Sequence, residues 1–166
     1  METVTGASSS AERSAHRSTA SIGGHPLHPM VVPMPIGMLT TAALSDIAFV
    51  VTRDRFFARA SRWLLGGGVV SGAMAGVLGL ADYATIRAAR GPIGTSHAAG
   101  NATVLAMSLL SLALRRDRRE TPIWAAALTL ASAAVLAMTG WLGGELTFRH
   151  RIGVVPAATN RRGSSG

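Results

Sequence analysis

Trp63-Leu-Leu-Gly-Gly-Gly-Val-Val-Ser-Gly-Ala-Met-Ala-Gly-Val-Leu-Gly-Leu-Ala81 runs for nineteen residues without a charge. A helix needs roughly 20 apolar residues to cross about 30 Å of hydrocarbon, so this stretch is long enough to span a bilayer. Buried helices of soluble proteins rarely run so long uncharged. Three further stretches match it. One covers about 31–51 and is interrupted only by Asp46; another lies within 91–114 and is expected to be helical from Ser96; the last lies within 121–144. Nothing alternates with the period of two that strands require. The expectation is an all-α integral membrane four-helix bundle, with helices at about 31–51, 63–82, 96–114 and 122–146.

Helix starts carry their own signals. Pro33 and Pro35 suit a first turn, where their missing N–H groups are not needed. Thr95 or Ser96 can cap the third helix, and Thr121-Pro122 reads as cap and first position of the fourth. Residues 1–24 are rich in Ser, Ala, Thr and Gly, with little to bury, and read as a disordered tail; residues 156–166 read the same way. The N-terminal segment does not read as a secretory signal. The transmembrane domain is then 25–155.

Composition agrees. Charged residues make up 14% and hydrophobic ones 48% of the 166 residues, and the mean hydropathy is +0.33. Soluble domains carry about 25% charged residues. There is no cysteine, which removes disulfides, thiolate zinc sites and iron–sulfur ligation by this chain. All 16 basic residues are arginine. They cluster beside the apolar stretches without an aromatic-basic surface, so membrane anchoring explains them and nucleic acid is not an expected partner. With four spans, both tails share a side with the second connection. Leaving out the distant Arg161 and Arg162, eight arginines flank the first and third connections against six opposite. The positive-inside rule then places the tails outside the cytoplasm.

Two small-residue lines stand out. Gly68, Gly72, Gly76 and Gly79 on the second helix, and Ala133, Ala137, Gly140 and Gly144 on the fourth, predict that these two helices pack closely. At about 100° per residue, Asp82 ends the inward-facing glycine line.

Topology gathers most of the unusual polar residues at one membrane face. His25 and His28 lie in Gly24-His-Pro-Leu-His-Pro-Met30, and each precedes a proline, which disfavours helix there. An extended polyproline-like run would set both imidazoles along one edge. His97 is the only histidine inside a span, in a first helical turn where the helix dipole favours the neutral, metal-binding ring. Glu145 stands four residues before Arg149, the spacing of an interfacial ion pair. His150, between two arginines, reads as solvated. Asp46 sits towards the opposite face, where an arginine of the first connection is its simplest partner.

These residues resemble a known family. The doubled His-Pro run with Val-Val-Pro-Met-Pro-Ile-Gly37, then Gly79-Leu-Ala-Asp-Tyr83, His97 with Asn101, and Gly143-Gly-Glu-Leu-Thr-Phe-Arg-His-Arg-Ile-Gly-Val154 are similar in kind and order to domain of unknown function 2231. The resemblance covers about 22–155. It implies a small multi-pass protein of the bacterial inner membrane, at times found beside redox domains, and supplies no activity. Its motif positions fall on His25, His28, Asp82, His97 and Glu145. Arg151 stands where the family has glycine, which weakens any role for His150.

Two functional readings follow. In the first, the chain is a redox or metal-binding module with a redox partner protein. His25, His28 and His97 are ligands and Asp82 and Glu145 ligands or supports, for a divalent transition metal or for haem b held by two imidazoles. In the second, the chain is a non-enzymatic structural or accessory protein. Its polar cluster is then a hydrogen-bonded clasp tying the N-terminal arm to the bundle. No recognisable catalytic motif is present, and no span is broken by proline at mid-depth as in many transporters.

Overall fold

In the computed structural model, residues 18–115, 120–150 and 152 are described. The two expected tails fall largely outside that set, as does most of the third connection. Within it the chain is helical, opening with a minimal antiparallel hairpin, β1 (Ser21–Ile22) against β2 (His25–Pro26). Gly23 and Gly24 make the turn at φ 58° and 83°, which side-chain-bearing residues rarely adopt. Residues 18–24 are therefore structured, where composition alone suggested a loose tail.

A short helix, α1 (Leu27–Val31), leads into the first long one, α2 (Pro33–Thr52). His28 thus sits in a helix, against the expectation of an extended run. Pro29 falls in the first turn of α1, where a missing N–H costs nothing. Pro33 and Pro35 open α2 as expected. Arg53, in the left-handed conformation, and Asp54 then make a tight corner.

Asp54 caps α3 (Arg55–Thr85) by accepting from the Phe56 N–H at 2.8 Å, so the helix begins well before Trp63. At 31 residues, α3 is about 46 Å long and projects beyond the hydrocarbon. A 3-10 turn at Arg87–Arg90 precedes α4 (Pro92–Leu114), which starts with proline in its first turn and not with a Thr95 or Ser96 cap. The last helix, α5 (Ile123–Gly144), runs into a π turn at Glu145–Arg149. Among the described residues, four helices are long and apolar enough to cross a membrane.

Sequential neighbours pack together, α2 on α3, α3 on α4 and α4 on α5, and α5 closes the ring on α2. Helices α3 and α5 therefore lie across the diagonal, and the expected contact between their small-residue lines is not made. Larger side chains of other elements fill the glycine notches instead. A Cβ on Gly68 would meet Leu39 at 2.5 Å, one on Gly72 would meet Leu105 at 2.7 Å, and one on Gly79 would meet the His28 ring at 2.8 Å. Gly76 and Gly140 face open space.

Polar residues are buried alongside the apolar core, while many large apolar side chains face outward. Ser45, Asp46, Ser61, Ser71, Ser108, Ser111, Thr129 and Ser132 are buried, whereas Leu44, Val51, Val70, Val77 and Met138 are exposed. That inversion suits a lipid environment, where small and hydroxyl residues pack helices and large apolar ones face acyl chains. Trp63 and Trp124 lie outward towards one end of the bundle and Trp141 towards the other, the placement of interfacial anchors.

Candidate functional site

At the end of the bundle holding the histidine run, the Asp82 carboxylate is 8% exposed and almost fully engaged. Ser18 Oγ lies 2.8 and 2.9 Å from its two oxygens, the Thr19 N–H donates at 3.0 Å, and the Thr19 hydroxyl adds a longer bond. The Thr19 and Thr85 hydroxyls are 2.9 Å apart. Ala20 O then accepts from the Leu27 N–H, closing the arm back on α1. A buried charge needs such donors, because unpaired burial costs several kcal/mol. Ser18 and Thr19 were missed in the sequence, since they belong to a segment that composition assigns to the tail.

The two histidines of the bundle interior are held alike. His28 Nδ1–H donates to Ala75 O at 2.8 Å, and the ring lies over Gly79. His97 Nδ1–H donates to Thr139 O at 2.9 Å, and its ring lies over Gly143. In each case the acceptor carbonyl is four residues before the glycine that makes room for the ring. In a neutral ring, donation through Nδ1 fixes the tautomer and makes Nε2 the nitrogen that carries the lone pair. Asn101 donates to the His97 carbonyl at 2.9 Å and sets its amide 3.2 Å from Nε2.

The other expected site residues do not join them in one ligand set. His25 is exposed on β2, Glu145 pairs with Arg149 at the surface, and His150 is exposed. Among the described residues, no group of three or more His, Asp or Glu side chains is placed to hold a metal ion.

Asp46 reveals a second polar centre at the opposite end. Its partner is Arg115 of the third connection, not an arginine of the first. The pair is bidentate, at 2.9 and 2.5 Å, and both side chains are essentially inaccessible. The same guanidinium reaches Ser61, Ser111, Thr121 and Thr129 at 2.8–3.2 Å. Asp46, Ser61, Ser111 and Thr129 belong to α2, α3, α4 and α5 respectively, so one side chain ties all four spans. Thr121 serves this network and leaves Pro122 to cap α5, contrary to its expected role. A buried guanidinium needs an acceptor more than a helix end at the interface needs a cap.

This is a small four-span membrane bundle with one ionic and one imidazole-bearing end. The family model described as "Predicted membrane protein (DUF2231)" matches residues 24–156, and the chain belongs to that family. No match was found among functionally curated proteins or among solved structures.

Proposed function

We propose that the protein is a non-enzymatic structural or accessory membrane module, and that its polar face is a clasp fixing the N-terminal arm to the bundle. The carrying observation is the engagement of both Asp82 oxygens by Ser18 and Thr19. A carboxylate so enclosed by its own chain is poorly disposed to receive a ligand. The arm leads from the part of the chain beyond the membrane into the first span, so its fixation sets how anything attached there is presented. Asp82→Ala should free the arm, exposing residues 18–24 to protease while the four helices persist by circular dichroism. Unchanged protease resistance would sink the clasp.

The redox reading narrows to His28 and His97, because both rings are held through Nδ1 to a backbone carbonyl, although the Asn101 amide 3.2 Å from His97 Nε2 would have to give way to a ligand. Nδ1–H donation to a carbonyl is the usual support for a metal-bound imidazole. A bare divalent metal wants about four protein ligands, whereas haem b asks the protein for two. Two imidazoles therefore favour haem over a free ion. Titration with haem should give the Soret and low-spin bands of a bis-imidazole complex, lost in either alanine variant; their failure to appear would refute this reading and leave the clasp untouched. The excess of arginine near the first and third connections supports tails outside the cytoplasm in a bacterial inner membrane.

A further inference from the structure

Sixty-nine residues separate His28 from His97, and the same spacing relates Asp46 to Arg115. It also relates Pro35 to Val104, Leu39 to Ser108 and Ala42 to Ser111, and every member of these three pairs is buried. On the returning helices the constant spacing is 64. It relates Ser61 to Ala125, Leu65 to Thr129, Gly68 to Ser132 and Ala75 to Thr139, again buried in both members. It relates Gly79 to Gly143 as well, the two glycines beneath the imidazoles. The carbonyls that hold the rings, Ala75 and Thr139, are thus equivalent too.

We propose that the chain is one helical hairpin used twice, α2–α3 and α4–α5, with the copies meeting about a twofold axis along the bundle, and that Asp46 and Arg115 key one copy to the other. The ring of helix contacts is the one such an axis generates: it exchanges α2 with α4 and α3 with α5, and the α3–α4 contact with the α5–α2 contact. Each hairpin therefore presents a face fitted to a second hairpin of its own kind.

Charge explains why unlike copies pair. Two first-copy faces would oppose carboxylates and two second-copy faces would oppose guanidiniums, both unpaired in a dry interior. The neutral positions diverge consistently with that role. Leu39, Ala42, Leu65 and Gly68 of the first copy correspond to Ser108, Ser111, Thr129 and Ser132 of the second. Two of these hydroxyls, Ser111 and Thr129, bind the guanidinium. The copies also differ at the arm. Leu146 stands where the first copy has Asp82, and a cavity of about 220 Å³ lined by Ala88, Pro92, Gly94, Leu146 and His150 adjoins it.

The axis predicts which substitutions compensate, at positions no pairwise contact would select. In the full-length chain, D46R and R115D should each abolish a cooperative melting transition in detergent. D46R/R115D should restore it in part. Adding A42S and L65T, the axis-related equivalents of Ser111 and Thr129, should raise the midpoint by several degrees more. A quadruple variant no more stable than D46R/R115D would overturn the proposal.

A second exchange avoids the ionic core. Val32 is the equivalent of Asn101, so V32N/N101V should move the amide from the His97 ring to the His28 ring. In spectra of the labelled imidazoles, both rings should change and their environments exchange in character. A change at His97 with none at His28 would equally overturn it.

Discussion

Removing Arg115 while leaving Asp46 is the severest single change this fold offers. In Arg115→Met the stem length is kept, but the carboxylate loses both charge-assisted bonds in a place where it is 0% exposed. Ser61, Ser111, Thr121 and Thr129 lose their shared guanidinium partner at the same time. Breaking a buried ion pair by removing one partner costs about 3–5 kcal/mol, a large share of the roughly 5–15 kcal/mol that holds a domain folded. For a domain of this size that is a fall of roughly 10–20 °C in melting midpoint, read by circular dichroism in detergent. Replacing both members should hurt less, since no charge is then stranded. Asp46→Asn with Arg115→Met should cost about 1–3 kcal/mol less than the sum of the two single variants, the coupling expected of directly bonded groups. A single variant within about 1 kcal/mol of the native chain, or a double variant at the simple sum of the singles, would refute the keystone role.

The glycine notches can be told apart. Gly76→Leu should leave the melting midpoint nearly unchanged because open space lies beyond it, whereas Gly68→Leu should lower it by several degrees against Leu39. Equal effects would mean the notches do not discriminate. Sidedness is testable because the chain has no native cysteine. Ile22→Cys and Arg87→Cys should label from one side of the membrane, the outer one if the arginine balance governs, and Arg55→Cys only from the other; Ile22→Cys and Arg87→Cys labelling from opposite faces would contradict the four-span topology.

The spans were legible because uncharged length is a direct demand of the bilayer, and each is visible as a run of residues. The Glu145–Arg149 pair was legible because its partners share a helical surface four residues apart. What escaped the sequence was relational. Arg115 looked like one more arginine of a connection, because nothing local says that it turns inward. The signal available was spacing: the interval from His28 to His97 applied to Asp46 lands on Arg115, and a lone carboxylate inside a span requires a cation. The facing of α3 and α5 failed for a related reason. Small-residue lines report that something approaches closely, not which helix, and short connections make sequential helices the neighbours. Ser18 and Thr19 were invisible because low-complexity composition describes an average, while two residues suffice to satisfy one carboxylate.

The two ends of the bundle are fastened by bonds of different strength, and this sets where it should open. At the Asp46 end one guanidinium joins every span inside a buried core. At the imidazole end the fastenings are neutral bonds to the Ala75 and Thr139 carbonyls and the grip of Asp82 on a short arm, with Thr19, Thr85 and His25 open to solvent. Cooperative opening follows the density of buried contacts, so partial openings should begin at the arm and the adjoining ends of α3 and α5. Hydrogen exchange in detergent should therefore show amides at 19–28 and 80–85 exchanging well before those at 42–49 and 125–132. Asp82→Ala should accelerate the first set and leave the second unchanged. Uniform protection across both sets, or an Asp82→Ala effect spread evenly over the chain, would mean that the clasp is part of the global fold and not a separately releasable end.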